Sequence, residues 1–386
     1  MIQKNGDPFP ALHDLRIFEP KKKQMIYLSL GSNMGDRWAF LELALGMIEY
    51  RIGSIQCISS VYETPPWGFE STPFYNACLC IHSILSPEEV LTELLSIETF
   101  LGRERSVSEG YQARTIDLDI LFFEKQSINT TSLTIPHPRV EQRKFILTPL
   151  AEIAPDYVHP ILSLRIDQLN ENCEDTSIIT RLSRTMQLPK KRSFVAIEGM
   201  IGVGKTAFAH RLNEALGGSL LLENFYENPY LVDFYKNPKA FALRVETAFL
   251  TDRIAQYNAF FLNKKVSPVI ADYSLDKSLL FAKQNLTATD FDMYRTDYLR
   301  VTKTQPKPEL VLLLKQSVSR ALTNIQQRGR DFEQNIAASY LSSLEKAYKE
   351  WEKTTPTDCL CLDLTTVDFV ERPEAFYPLL LGFFRH

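Results

Sequence analysis

The chain has no run of apolar residues approaching the roughly 20 needed to cross a bilayer, and its net charge is only −4 over 386 residues. The first absence argues against a membrane protein. The second removes the electrostatic footprint expected of a nucleic-acid or membrane-surface binder. The six cysteines (Cys57, Cys78, Cys80, Cys173, Cys359 and Cys361) form no CxxC pair and no disulfide-dense spacing, which fits reduced thiols in a cytoplasmic protein. Residues 1–24 contain Pro8, Pro10, Pro20 and Lys21-Lys22-Lys23. They lack the uninterrupted apolar core of a signal peptide and read as a loose tail. There is no internal repeat. With 45% hydrophobic and 23% charged residues, what remains is an ordinary globular composition, long enough for two or three domains of roughly 100–200 residues each.

What is present begins in the middle of the chain. "SFVAIE" reads as a short apolar strand, and Gly199-Met200-Ile201-Gly202-Val203-Gly204-Lys205-Thr206 then fits GxxxxGK[ST]. "AFAHRLNEAL" follows with Phe208, Leu212 and Leu216 at helical spacing. Gly199, Gly202 and Gly204 let backbone N–H groups curl around phosphate oxygens, and the helix N-terminus adds its positive dipole end. Lys205 is placed to reach the β- and γ-phosphates, and the Thr206 hydroxyl suits Mg²⁺. Such a loop opens its domain, so a boundary must precede it. The polar stretch before it, ending in Pro189 and a basic cluster, places a linker at 176–192 between domains at 25–175 and 193–386.

Four further features follow the loop. Glu223 closes an apolar run, where a parallel strand delivers a carboxylate to the active edge, able to take a proton from an attacking hydroxyl. Asp272 closes another, a natural place for a magnesium-facing carboxylate. Glu309–Ser317 reads as a third buried strand, and Arg328-Gly329-Arg330 then offers paired arginines for a transferring phosphoryl group.

This half resembles the deoxynucleoside kinase family through its phosphate loop, "ENPYLVDFY", "FALRVETAFLTDRIAQY", "DYSLDKSLLFAK" and "QQRGRDFEQNI". The resemblance implies an α/β P-loop kinase with a parallel sheet. Glu223 would be the general base for a 5′-hydroxyl, and Arg253 would orient the chemistry beside it. Glu246 would read the base, Arg328 and Arg330 would be lid arginines, and Asp272 with Thr206 would serve the metal. Tyr273 stands where the family usually has arginine, and Glu246 replaces a common amide. An acidic acceptor favours a base with amino or imino donors, hence deoxyadenosine or deoxyguanosine. A thymidine or thymidylate kinase on the same scaffold, or a nucleotide-sensing module without turnover, are the alternatives. The family also implies a homodimer through a helix bundle.

The first half carries "ARTIDLDILFFEKQSI", in which Asp117 and Asp119 alternate with Ile116, Leu118 and Ile120. As a strand, this puts both carboxylates on one face, ~7 Å apart, able to hold Mg²⁺ that keeps water and phosphate ligands. An edge strand with a solvated acidic face would show the same alternation. Arg103, Arg105 and Arg114 crowd the approach, as polyphosphate binding requires. Near the start, "MIYLSLGSNMGDRWAF" reads as strand, turn and helix, and it lacks the GK[ST] of a phosphate loop.

Over about residues 25–166 these stretches, with "VYETPPWG", "FYNAC", "IETFLGRER" and "IPHPRVEQRKFILTPLAEIAPD", resemble 6-hydroxymethyl-7,8-dihydropterin pyrophosphokinase. That implies a ferredoxin-like α+β domain in which Asp117 and Asp119 bind two Mg²⁺ ions bridging the ATP phosphates. Asn76 would hydrogen-bond the pterin, stacked between Phe74 and Phe145, with Thr64, Pro65 and Trp67 lining the pocket. Glu98 would sit near adenine or ribose, and Arg103, Arg105, Arg114, His137 and Arg143 would surround the triphosphate. Tyr111 would take the place of a loop tryptophan, and Ser132 stands where some relatives have a phosphate-binding arginine. The expectation is a bifunctional ATP-dependent kinase with no nucleic-acid or membrane partner.

Overall fold

The computed structural model describes residues 22–66, 70–104, 112–263 and 266–386. Trp67, Arg105 and Tyr111, and all but the end of the 1–24 tail, lie outside the described residues.

The first half runs β1 (Gln24–Ser32), α1 (Arg37–Arg51), β2 (Ser54–Ile58), β3 (Tyr62–Thr64), β4 (Phe74–Ser83), α2 (Pro87–Phe100) and β5 (Asp117–Phe123). A two-residue pair, β6 (Ile128–Asn129) and β7 (Thr134–Ile135), and helices α3 (Lys144–Ile153) and α4 (Ile166–Glu171) complete it. The sheet is antiparallel in the order β5-β1-β4-β3-β8, with β2 also on β4 and β8 at Thr180–Arg181. This is an α+β arrangement. α2 starts where the sequence dictates: Ser86 accepts from the Glu89 N–H, the Glu89 carboxylate accepts from the Ser86 N–H, and Pro87 sits at the first helical position. The expected alternation in β5 is present, with Leu118 and Ile120 buried and Asp117 and Asp119 half-buried on the opposite face. Part of the stretch read as linker is built into this sheet, because Thr180 and Arg181 pair with Glu63 and Tyr62.

The second half begins at β9 (Phe194–Glu198) and α5 (Lys205–Leu216), followed by β10 (Ser219–Leu221), α6 (Leu231–Lys236), α7 (Pro238–Leu262) and β11 (Val269–Ala271). Then come α8 (Asp276–Asn285), α9 (Ala288–Thr302), β12 (Leu310–Lys315), α10 (Val318–Arg328), α11 (Ala338–Thr354), β13 (Asp358–Asp363) and α12 (Tyr377–Arg385). Its sheet is parallel throughout, in the order β10-β11-β9-β12-β13. β9 is central and buried along its whole length, as a strand covered on both faces must be. Glu198, Glu223 and Asp272 therefore all arrive at the carboxyl edge of one sheet, where α/β folds hold their ligands.

The two halves share a core. α12, at the end of the chain, packs on α1: the rings of Phe383 and Phe384 each lie 6.1 Å from Tyr50. Gly46 is what lets the helices meet, since a β-carbon there would stand 2.4 Å from the Phe384 ring. The Tyr377 hydroxyl donates to the Phe100 carbonyl at 2.8 Å, and the Arg211 guanidinium lies 4.3 Å from the Phe100 ring centre. No helix among the described residues is long and apolar enough to cross a membrane, and the six cysteines are free.

Candidate active sites

In the first half, β1, β4 and β5 line up side by side and present Gly31, Asn76, Asp117 and Asp119 along one edge. A cavity there is lined by Thr64, Pro65, Phe74, Asn76, Arg114 and Phe145, together with both aspartates and Arg143. Asn76 is buried and donates to the Thr64 hydroxyl at 2.7 Å, which fixes its amide. Asp117 is gripped by Arg103 at 2.6 Å and by Arg114 at 2.8 Å. The Arg114 guanidinium also lies 5.5 Å from the Phe74 ring centre. Burial, then the charge of Asp117, push the Asp119 carboxyl up to about 7. His137 stands 3.8 Å from it, its own pKa pushed down to about 4 by burial and by Arg143.

Glu98 does not line this cavity. Only 2% exposed, it ion-pairs with Arg103 and accepts the Leu118 N–H at 2.9 Å. Its carboxylate braces Arg103 and the start of β5 from beneath, and it offers no face to an adenine or ribose. Ser132 is exposed in the short turn joining β6 and β7.

In the second half, the phosphate loop takes the shape its glycines permit, with φ of 143° at Gly199, 82° at Gly202 and 99° at Gly204. At Gly202 a side chain is doubly excluded, because its β-carbon would lie 2.5 Å from the Ala321 carbonyl. Lys205 folds over the loop, donating to the Gly199 and Met200 carbonyls at 2.8 and 3.0 Å. Burial, then Lys277, push its pKa down to about 8. The Thr206 hydroxyl donates to Asp272 at 2.5 Å, and the other Asp272 oxygen accepts the Glu223 N–H at 2.8 Å.

This loop opens into a cavity of about 840 Å³ that also reaches Glu223, Glu246, Arg253, Arg328 and Arg330, within the range of small-molecule sites. Arg253 grips one oxygen of Glu223 through Nε and Nη2, at 3.0 and 2.6 Å. Arg328 and Arg330 both pair with Glu333, and the Arg330 guanidinium lies 3.7 Å from the Phe225 ring centre. Glu246, 2% exposed, accepts from the Asn285 amide at 2.7 Å, and burial pushes its pKa up to about 7. Tyr273 is fully buried on the other side of its strand end, donating to Gln256 at 2.8 Å. It is a core residue and delivers nothing to the cavity.

Three participants escaped the sequence reading. Lys277 donates to the second oxygen of Glu223 at 2.5 Å. Buried Glu198 accepts from the Ser274 N–H at 2.7 Å and the Tyr348 hydroxyl at 2.8 Å, pinning the start of α8 to β9. Glu333 holds Arg328 and Arg330. The signal for Lys277 was in "DYSLDK", one turn beyond Asp272, where a helix start turns the side chain back to the same sheet edge.

Two sheets, each with its own cavity lined by arginine or lysine and by carboxylates, define a two-headed transferase of phosphorus-containing groups. Residues 27–155 match the family described as 7,8-dihydro-6-hydroxymethylpterin-pyrophosphokinase, and residues 195–380 match the deoxynucleoside kinase family. The chain belongs to both families, one in each half. A 2-amino-4-hydroxy-6-hydroxymethyldihydropteridine pyrophosphokinase of Porphyromonas gingivalis is 43% identical over 139 residues, 35% of this chain and 94% of the relative. A deoxyguanosine kinase of Bacillus subtilis is 38% identical over 191 residues, 47% of this chain and 92% of the relative. Among solved structures, a deoxyadenosine kinase from M. mycoides with bound dATP is 26% identical, covering 49% of this chain and 98% of its own, with a TM-score of 0.43.

Proposed function

We propose that the first half transfers a diphosphoryl group from ATP to 6-hydroxymethyl-7,8-dihydropterin, releasing AMP. The second half transfers the γ-phosphoryl group of ATP to the 5′-hydroxyl of a purine deoxynucleoside, deoxyguanosine foremost, releasing ADP. What carries this reading is that each cavity joins a phosphate-binding apparatus to a separate acceptor pocket. The domains are taken as 25–175, ferredoxin-like in having α1 and α2 inserted between the strands of one antiparallel sheet, and 193–386, joined through 176–192.

In the first site Asn76, Thr64 and Pro65 would hold the pterin edge, and Phe74 and Phe145 its faces. Arg103, Arg114, His137 and Arg143 would surround the triphosphate, with Glu98 holding Arg103 in place. In the second, Glu223 would accept the 5′-hydroxyl proton as the oxygen attacks the γ-phosphorus. Arg253 would orient Glu223, Lys205 and the loop N–H groups would cradle the donor, and Arg328 and Arg330 would leave Glu333 to meet the charge on the transferring group.

The oxygen donors Asp117 with Asp119, and Thr206 with Asp272, suit Mg²⁺. No group of three or more metal-ligating side chains occurs among the described residues, so the protein would supply one or two ligands and phosphate and water the rest. Bound there, the ion would supply charge neutralisation between phosphate oxygens.

Guanine offers adjacent N1–H and N2–H donors that suit a single carboxylate at Glu246. The second reading is deoxyadenosine, favoured by the upward push on Glu246, since a protonated carboxyl would donate to N1 and accept from the 6-amino group. A homodimer through α7 and α9 is supported by exposed Leu243, Leu262, Met293 and Leu299, and a cytoplasmic location by the free cysteines.

The test is product analysis with Mg²⁺-ATP and each acceptor in turn. AMP with the pterin, abolished by Asp117→Ala and retained by Lys205→Ala, and ADP with deoxyguanosine, showing the reverse pattern, are expected. ADP with no deoxynucleoside would leave the second half a nucleotide sensor.

A further inference from the structure

We propose that Lys277 is a catalytic cation of the second site: its ammonium holds Glu223 in the resting enzyme and is handed to a non-bridging oxygen of the γ-phosphoryl group during transfer. This rests on the deoxynucleoside kinase reading of that site.

Lys277 lies in the first turn of α8, and its side chain is 8% exposed. Its Nζ is 2.5 Å from one Glu223 oxygen while Arg253 occupies the other. The helix turn that carries it is fixed from two sides. Ser274 is bound to buried Glu198, and the Ser278 hydroxyl accepts from Arg253 at 2.7 Å. An ammonium has three donors, and Glu223 takes the one hydrogen bond that Lys277 makes among the described residues. Lys277 also lines the same cavity as Lys205, Thr206 and Asp272, and its charge acts on Lys205, so the two ammonium groups are close enough to serve one ligand.

Charge points the same way. Lys205, Arg253 and Lys277 stand among Glu198, Glu223 and Asp272 at this sheet edge, a cluster of cations gathered where a phosphate would enter. Moving Lys277 onto a phosphoryl oxygen would free its Glu223 oxygen to take the proton of the approaching hydroxyl. In the step itself the 5′-oxygen forms a bond to the γ-phosphorus, and its proton passes to Glu223. The bond from phosphorus to the β–γ bridging oxygen breaks, and its electron pair leaves with ADP. Lys277 keeps its protons throughout. Once Glu223 is neutral, the ammonium has only the phosphoryl oxygens to serve. The position where the family has arginine holds buried Tyr273, and Lys277 brings a cation to that place from one turn further on.

The experiment compares full-length wild type, Lys277→Met and Lys277→Arg with Mg²⁺-ATP and deoxyguanosine. For Lys277→Met, kcat should fall roughly 100- to 1,000-fold, as when one transition-state donor is removed. Its KM for deoxyguanosine should stay within about threefold. Lys277→Arg should recover at least about a tenth of wild-type kcat, the cation being restored. ADP affinity and AMP formation with the pterin report folding and should be unchanged in both. A Lys277→Met kcat within about tenfold of wild type, or a loss confined to KM, would overturn the proposal. So would loss of ADP affinity or of pterin turnover, which would make Lys277 a folding residue. Wild-type enzyme yielding no ADP with any deoxynucleoside would instead sink the kinase reading itself.

Discussion

Replacing Glu246 by glutamine keeps the oxygen that accepts from Asn285 and removes the ionisable proton. In the folded chain Glu246 is pushed from 4.5 up to about 7, first by burial, while the Asn285 amide, Arg253 and Lys277 pull the other way and Glu223 adds to the rise. The groups facing it are Arg253 from its own helix α7, Lys277 and Asn285 from α8, Tyr294 from α9, Tyr340 from α11, and Tyr235 from α6. A carboxyl whose folded pKa is raised favours the fold below the unfolded value. That contribution is lost as pH climbs from 4.5 to about 7, because the unfolded chain ionises first. A difference of about 2.5 pKa units is worth about 3 kcal/mol. Glu246→Gln should therefore match wild type at pH 4.5 and gain up to about 3 kcal/mol above pH 7. For a domain of this size that is a rise in melting temperature of roughly 6–12 °C. Thermal unfolding of both proteins between pH 4.5 and 8.5, followed by near-ultraviolet circular dichroism, reads this directly. A melting difference that stays constant across the range would refute the buried-acid account of Glu246.

Other consequences concern the substrates and the joint between the halves. Glu246→Gln should lower kcat/KM for deoxyguanosine relative to deoxyadenosine by roughly 10- to 100-fold, the worth of a charge-assisted hydrogen bond, and competition between the two substrates measures it. Gly31→Ala would put a β-carbon 2.7 Å from the Asn76 amide oxygen. Its KM for the pterin should rise by about tenfold or more while KM for ATP stays put, which steady-state kinetics would show. Gly202→Ala combines a φ of 82° with a contact of 2.5 Å to the Ala321 carbonyl, and should silence ADP formation while leaving AMP formation intact. Phe384→Ala empties the pocket over Gly46 and should cost about 3–5 kcal/mol, with calorimetry expected to resolve two transitions for the variant and one coupled transition for wild type.

The joint gives the fusion a physical meaning beyond covalent linkage. Val367–Glu371 form one wall of the second cavity and lead within a few residues into α12. α12 in turn packs on α1, and its first residue, Tyr377, bonds the Phe100 carbonyl just ahead of Gly102 and Arg103. The second domain therefore completes its fold on the surface of the first.

Much of the chemistry was legible because it is local. The phosphate loop is one strand, one turn and one helix, and each glycine is required by a backbone angle that only glycine adopts readily. The Asp117/Asp119 pair follows from the two-residue period of a strand. By itself the sequence therefore determined the two families, the strand, turn and helix of the glycine loop, and the shared face of Asp117 and Asp119. What only the tertiary structure decided are contacts between residues far apart in the chain: Lys277 on Glu223, 54 residues away; Asn285 on Glu246, 39 away; and Arg385 on Glu42, 343 away. Burial decided the rest, making Glu98 a brace for Arg103 and Tyr273 a core residue. A side chain's desolvation, and hence its charge and its partner, is set by what the fold packs around it, and no local pattern in the sequence records that.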